Sequence, residues 1–110
     1  MNLSRRHNIV SIRQTNEIKE VLDNSKKVYH KYGIIFLNKS KDVREKLRAA
    51  VLVKKNCGSA VRRNYIKRIG RNFIVRNITL FKKYNRVIFL FLSKEPFKYR
   101  DLEKELANKL

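Results

Sequence analysis

The chain contains 110 residues, of which 28 are lysine or arginine and 9 are aspartate or glutamate, giving a formal net charge of +19 at pH 7. This length suits a single domain spanning residues 1–110, and the hydrophobic fraction of 43% is high enough to form a core, which excludes a disordered basic tail. The excess of positive charge indicates a polyanionic partner and leaves nucleic acids and anionic membrane surfaces as the candidates.

Cysteine and histidine usage argues against a disulfide or a zinc site. Cys57 is the single cysteine, and His7 and His30 are the only histidines, so neither a cysteine pair nor a zinc-ligand spacing exists. We therefore expect a reducing, cytoplasmic setting and no bound metal. The chain lacks the apolar run of a secretory signal, and its most apolar segment, Val87–Leu92, is far shorter than the ~20 residues that span a bilayer. We expect no membrane partner.

The first elements predicted along the chain are a basic arm and a helix. Residues 1–12 carry several basic side chains and form the arm. Thr15 and Asn16 are both suitable helix caps, and the helix that follows runs to about Asn24 with its apolar side chains on one face.

A strand region comes next. Val28–Asn38 is rich in β-branched and aromatic residues, which favour strands, and Gly33 in its midst suggests a kink or bulge, or a division into two strands. Lys39–Lys46 is polar and mixed in charge, as a hairpin connection would be, and Leu47–Lys54 is predicted as the following strand.

The main helix is predicted from about Ser59 to Asn77. At 100° per residue, its apolar members fall within one arc, and Arg62 lies in the middle of that arc, so we expect Arg62 to reach solvent from the first turn. Gly70 should weaken the helix by about 1 kcal/mol relative to alanine. The apolar members are Val61, Tyr65, Ile66, Ile69 and Phe73.

A last strand, Arg86–Leu92, and a closing helix, Tyr99–Lys109, complete the prediction. The order is α-β-β-(β)-α-β-α, where the bracketed strand allows for a divided Val28–Asn38. This pattern predicts an α+β fold, a single-domain α-β sandwich around a small central sheet.

An interval without acidic residues surrounds the main helix. Between Glu45 and Glu95 the chain has fourteen lysine or arginine residues and no aspartate or glutamate. A solvated helix face normally mixes both signs, so an anionic partner is favoured over a face that merely keeps the protein soluble. No helix and tight turn precede this helix as in a helix-turn-helix unit, and backbone-directed RNA binding fits better than DNA recognition.

The side chains predicted to face this partner share one helical side, with Lys54 and Lys55 approaching from the preceding strand end. Arginine grips phosphate in two places, lysine supplies a point charge, and an asparagine amide can both donate and accept. The helical residues of this predicted RNA-binding set are Arg63, Asn64, Lys67, Arg68 and Arg71.

The spacing of these residues closely resembles the signature of the bacterial ribonuclease P protein family, and the likeness covers nearly the whole chain. Tyr65 departs from it, since the family commonly has arginine there. The matching segment reads Lys54-Lys55-x-x-Gly58-x-Ala60-Val61-x-Arg63-Asn64-x-x-Lys67-Arg68-x-x-Arg71.

The resemblance implies a fold of the ribosomal protein S5 domain 2-like type, with an unusual left-handed βαβ crossover. It also implies that the basic helix docks on a catalytic RNA, with Arg5 and Arg6 of the arm contributing, and that a cleft holds the single-stranded 5′ leader of precursor tRNA. By position, Ile18, Leu22 and Phe36 would line this cleft, although the family usually has aromatic residues at the two helical positions. Ile18 and Leu22 are equally well explained as residues that pack in the core.

The implied function is that of the protein subunit of ribonuclease P, which promotes endonucleolytic removal of the 5′ leader from precursor tRNA. The resemblance also implies that the RNA subunit performs catalysis with Mg²⁺ that it mainly binds itself. The protein sequence offers no catalytic constellation of its own. The expected partners are the ribonuclease P RNA and precursor tRNA, without an obligate protein partner. The rival hypothesis is a non-enzymatic binder of structured RNA, such as a ribosomal component or an RNA chaperone.

Overall fold

The computed structural model describes residues 9–39, 46–81 and 83–110. Within these ranges the chain forms five strands and four helices, and a 3-10 turn at Lys55–Cys57 joins the fourth strand to the second helix. The strands are β1 (Val10–Ser11), β2 (Lys26–His30), β3 (Gly33–Asn38), β4 (Arg48–Val53) and β5 (Arg86–Phe91). The helices are α1 (Thr15–Asn24), α2 (Ala60–Arg76), α3 (Ile78–Phe81) and α4 (Tyr99–Leu106).

The strands form one sheet in the order β1-β4-β5-β3-β2. β4 and β5 are parallel neighbours, and the chain between them contains α2 and α3, so the βαβ connection implied by the resemblance is present. Its left hand stays a prediction. The α+β fold with a small central sheet is confirmed.

The predicted hairpin between the third and fourth strands is wrong, because β5 lies between β3 and β4 and pairs with both. The physical reason is the composition of β5, in which Val87, Ile88 and Phe89 are all fully buried. A strand that is apolar on both faces needs cover on both, and the centre of a sheet provides it. Residues 40–45 of the predicted connection lie outside the described ranges.

Two further observations concern the strand boundaries, and the first of them confirms the predicted division into two strands. Val28–Asn38 is divided by a turn, and a Cβ atom at Gly33 would collide with the carbonyl oxygen of Leu90, so close backbone approach accounts for this glycine. The predicted arm is too long: Val10–Ser11 pairs with β4, and the flanking Ile9 and Ile12 are buried. These four residues belong to the edge of the sheet because their two isoleucines complete its core.

The two faces of the sheet are covered differently. The helices α2, α3 and α4 cover one face and enclose the larger core, to which Ile35, Val87, Phe89 and Phe91 contribute from the strands. α1 crosses the other face and encloses a smaller core around Val21.

On the α1 face, the strand register arranges the side chains in three rows. The first row, at the start of β4 and β5, is polar. The middle row lies against α1, and the third row lies on the far side of α1 and is half-buried or exposed. The rows are Asn38–Arg86–Arg48, then Lys27–Phe36–Ile88–Ala50, then Tyr29–Ile34–Leu90–Leu52.

Ion pairs fasten α1 to the polar row. Glu17 accepts hydrogen bonds from Nε and Nη2 of Arg48 at 2.7 and 2.6 Å, and its carboxylate lies 3.8 Å from Arg86. Glu20 lies 3.3 Å from the same Arg86. The hydrogen bond from Arg48 holds the pKa of Glu17 below its ordinary value. Two arginines directly opposite on adjacent strands would repel each other, and Glu17 offsets that repulsion.

Helix α2 begins and packs in ways that the sequence only partly indicates. The hydroxyl of Ser59 accepts a hydrogen bond from the backbone N–H of Arg62 at 3.2 Å, which caps the first turn. Farther along, α2 lies so close to the sheet that a Cβ atom at Gly70 would be 2.8 Å from Cγ1 of Val51 and 3.0 Å from Cε2 of Phe91. Gly70 is therefore the contact point between helix and sheet.

We predict that Gly70→Ala lowers the free energy of unfolding by about 1 kcal/mol. Overpacking a core costs roughly 1–3 kcal/mol, whereas alanine is better than glycine in a helix by about 1 kcal/mol, so the steric cost outweighs the gain. Urea unfolding monitored by circular dichroism measures the difference. In a Val51→Ala background, which opens the space, the cost should largely disappear; an equal cost in both backgrounds would contradict the contact as its cause.

We also predict that Glu17→Gln lowers the free energy of unfolding at pH 7 by roughly 1–3 kcal/mol, because Arg48 and Arg86 lose the carboxylate they share. The folded-state pKa of Glu17 lies below the ordinary 4.5. Its contribution is therefore complete well above pH 4.5 and is lost as the pH falls through the folded value.

Urea unfolding from pH 7 to pH 3 should thus show the two proteins converging below about pH 4.5. Glu20→Gln is the matched control, since Glu20 is exposed and exposed ion pairs contribute little. A pH-independent difference between the wild type and Glu17→Gln would rule out the ion pair as the source.

Candidate nucleic-acid interface

The packing of α2 decides which of its side chains face outward. Ile66, Ile69, Gly70, Phe73 and Ile74 are buried against the sheet. At 100° per residue, the centre of this buried arc is rotated by roughly 80° from the predicted apolar arc. Gly70 accounts for this rotation. Because glycine has no side chain, the hydrophobic pattern does not mark Gly70 as buried, yet α2 makes its close contact with the sheet at Gly70.

The rotation overturns the prediction for two apolar residues. Val61 is 80% exposed and Tyr65 is 45% exposed, so neither belongs to the core face of α2. Both lie instead on the outward side of the helix, near its beginning.

Arg62 occupies the first turn, as predicted, but it does not extend into solvent. Its guanidinium donates hydrogen bonds to the carbonyl oxygens of Cys57 at 2.6 Å, Lys94 at 3.1 Å and Glu95 at 2.8 Å. Gly58 leaves room for it, since a Cβ atom there would lie 2.5 Å from Cδ of Arg62, and Gly58 has a φ of 136°. Arg62 therefore fastens the start of α2 to the segment after β5 and is engaged within the protein.

The outward side of α2 carries a surface depression of about 290 Å³ lined entirely by polar and cationic side chains. We call this set the α2 basic face. It includes four of the predicted RNA-binding residues and one asparagine that was not predicted. Its members are Asn64, Lys67, Arg68, Arg71 and Asn72.

The cations of the α2 basic face have no anionic neighbour in the described part of the chain. The five ion pairs found there involve Lys31, Arg48, Arg86 and Lys109, and none involves Lys67, Arg68 or Arg71. By contrast, Arg76 at the helix end lies 4.9 Å over the ring of Tyr99. Mutual repulsion on the α2 basic face is therefore left for an external anion to relieve.

The remaining predicted RNA-binding residues lie around this face. Arg63 is half-buried at its flank, and its Nε atom is buried without a hydrogen-bond partner among the described residues. Lys54 and Lys55 are exposed where β4 leads into the turn before α2. Arg5 and Arg6 lie outside the described ranges, so their role stays a prediction.

The three residues predicted to line a leader cleft lie together between α1 and the sheet. Ile18 and Leu22 are half-buried and pack on the small core, and Phe36 is only 5% exposed, beneath α1. Nζ of Lys27 lies 5.9 Å from the centre of the Phe36 ring. Phe36 is too buried beneath α1 to offer an open ring face for base stacking, and its part in a leader cleft stays a prediction.

The accessible apolar surface beside α1 is the third row of the sheet, which we call the open strip. Tyr29 is 64% exposed at its outer end, and the three aliphatic members are half-buried. Sequence reasoning missed this strip, although strand alternation could have placed its residues on one face once the strand order was known. The open strip consists of Tyr29, Ile34, Leu90 and Leu52.

In the described part of the chain, the metal-binding side chains do not assemble a second site. Cys57 is buried with its Sγ atom 3.5 Å from the carbonyl oxygen of Phe91, and burial lowers the pKa of His30 to about 4. Across residues 9–39, 46–81 and 83–110, no three His, Cys, Asp or Glu side chains are grouped to hold a metal ion. Over the same residues, no helix combines the length and apolar character needed to cross a membrane.

Comparison with known proteins agrees with this geometry. A family model described as Ribonuclease P matches residues 7–110. The chain is similar to the ribonuclease P protein component of Fusobacterium nucleatum subsp. nucleatum, with 31% identity over 101 residues, covering 87% of this chain and 89% of that protein.

Two solved structures share the fold. The ribonuclease P protein of Thermotoga maritima matches with a TM-score of 0.73 and 21% identity over 89% of this chain and 92% of that one. The Staphylococcus aureus protein matches with a TM-score of 0.72 and 17% identity over 90% of each chain. The matched family model spans almost the whole chain, and the chain belongs to the ribonuclease P protein family.

Proposed function

We propose that this chain is the protein subunit of ribonuclease P, which binds the catalytic RNA and the 5′ leader of precursor tRNA and so promotes removal of the leader. The observation that carries the proposal is the α2 basic face, whose cations have no ion-pair partner among the described residues. The setting would be the cytoplasm, where precursor tRNA would be processed.

On the RNA subunit, the α2 basic face would contact phosphates rather than read a sequence. Arg68 and Arg71 offer forked donors for phosphate oxygens, and Lys67 beside them offers a point charge. Asn64 and Asn72, whose amides both donate and accept, suit a 2′-hydroxyl or a base edge. Each phosphate contacted releases condensed counterions, so binding should weaken steeply as salt rises.

For the leader, the open strip offers a surface on which single-stranded nucleotides can lie. Tyr29 presents an exposed ring, and stacking of a base on an aromatic ring contributes ~1–3 kcal/mol. Lys27, in the neighbouring row, supplies charge for the backbone. In this arrangement Ile18, Leu22 and Phe36 form the wall and floor of the cleft, and Tyr29 supplies the ring on which a base stacks.

The chemistry would belong to the RNA. The described residues offer no group suited to hold Mg²⁺, and the α2 basic face has no carboxylate, so the divalent ions would be bound mainly by RNA. This chain's residues would reduce the repulsion between the phosphates of the catalytic RNA and those of the substrate. They would thereby favour the geometry in which the RNA cleaves.

A non-enzymatic binder of structured RNA remains the competing function. Charge and an α+β fold serve both functions, but the ordered spacing from Lys54 to Arg71 is specific to the subunit, and a generic binder has no need of it. The competing function predicts binding to many RNAs without any effect on cleavage.

The decisive prediction is that the purified protein stimulates cleavage of precursor tRNA by the ribonuclease P RNA of the same organism at low Mg²⁺. The stimulation should shrink as Mg²⁺ rises, because added cations then perform the same screening. A gel assay of 5′-labelled precursor tRNA measures the released leader. Tight RNA binding without stimulated cleavage would support the competing function instead.

A second prediction concerns the α2 basic face. Lys67→Ala and Arg71→Ala should each weaken binding to the ribonuclease P RNA and reduce the log–log salt slope by ~0.7–0.9. Filter binding at salt concentrations from about 50 to about 400 mM measures both the affinity and the salt slope.

Lys104→Ala is the matched control, since it removes an exposed positive charge from α4 and should leave the slope unchanged. Thermal unfolding of each variant checks that the fold is intact. An equal loss of slope in the control would show that net charge alone, rather than this face, determines binding.

A further inference from the structure

Two apolar side chains are exposed beside the cations of α2. Among the described residues, the large hydrophobic side chains with substantial exposure are Tyr29, Val61, Tyr65, Leu80 and Leu92. Val61 and Tyr65 are one helical turn apart and therefore adjacent on the surface. Single exposed hydrophobic residues are ordinary, but an adjacent pair within a cationic surface is a different arrangement.

Tyr65 is placed against the α2 basic face by the helical repeat. Arg68 follows it by three residues and Asn72 by seven, so both lie on the same side of the helix as the Tyr65 ring. Tyr65 has neither a ring–ring nor a cation–π contact within the described part of the protein. Tyr65 is 45% exposed, so part of its side chain is accessible to a ligand.

We propose that Tyr65, backed by Val61, stacks on an unpaired base of the RNA that the α2 basic face holds by its phosphates. This inference rests on the proposed function and adds a contact that the charges alone do not provide. Phosphate contacts by Arg68 and Lys67 bring the backbone to within one helical turn of the ring. A base inside an A-form duplex presents no open ring face, so the occupant is a nucleotide in a loop, a bulge or a single-stranded joint.

The chemistry of Tyr65 gives this contact a distinct signature. Stacking on an aromatic ring is sequence-tolerant and does not release counterions, whereas an arginine at the same position would add a phosphate contact. The tyrosine therefore exchanges a salt-dependent contact, common in the family at this position, for a salt-independent one. Loss of the ring should change affinity without changing the salt slope.

The test measures binding of the full chain to the ribonuclease P RNA across a salt series. Tyr65→Ala should raise the Kd roughly 5- to 150-fold at every salt concentration, with the wild-type slope. Tyr65→Phe should bind nearly as well as the wild type, and Tyr65→Arg should bind with a steeper slope. Leu80→Ala is the matched control, because Leu80 is 41% exposed on α3, away from the α2 basic face, and its removal should leave the Kd unchanged.

A fully paired RNA duplex serves as the second probe. Tyr65→Ala should bind this duplex with the same affinity as the wild type. The inference is overturned if Tyr65→Ala binds the ribonuclease P RNA within about twofold of the wild type, if the slope falls with the affinity, or if the duplex shows the same loss. Failure of the wild-type protein to bind the ribonuclease P RNA would instead overturn the proposed function, and this inference with it.

Discussion

The contact between α2 and the sheet at Gly70 is the constraint on which the rest of the structure depends. Because no side chain separates the helix from Val51 and Phe91, the rotation of α2 about its own axis is determined by that contact. The same rotation turns Ile66, Ile69 and Phe73 inward and presents the α2 basic face outward. Glycine is unfavourable in an isolated helix, and here the tertiary contact outweighs that preference.

The opposite face of the sheet is built on charge as well as apolar contact. α1 is short, and Glu17 secures its first turn to two arginines that the strand register places side by side. Since α1 covers the polar row and the middle row, the open strip remains available along its flank. One sheet thus presents two exposed surfaces, the α2 basic face on its covering helix and the open strip on its own exposed row. Each surface follows from how completely that face of the sheet is buried.

Most elements could be predicted from local sequence, and the misses have specific physical causes. The alternation and apolar runs of β3, β4 and β5, and the capping by Ser59, are local signals. The strand order is not local, because the place of β5 between β3 and β4 follows from burial on both of its faces. For the site, helical spacing correctly grouped Asn64, Lys67, Arg68 and Arg71. It misplaced Val61 and Tyr65, because a pattern of apolar side chains does not identify Gly70 as a buried position. Helical spacing also could not show that Arg62 donates hydrogen bonds to backbone carbonyl oxygens.

The uncompensated charge of the α2 basic face also has a consequence for the protein when it is alone. Like charges held together on a folded helix disperse when the chain unfolds, so their repulsion favours the unfolded state. A polyanion that binds only the folded chain removes this penalty and adds its binding free energy to the stability. Copies made in excess of RNA would be the less stable ones, and cellular proteases act on the unfolded fraction. Turnover would then match the amount of this protein to the amount of its RNA without any dedicated regulator.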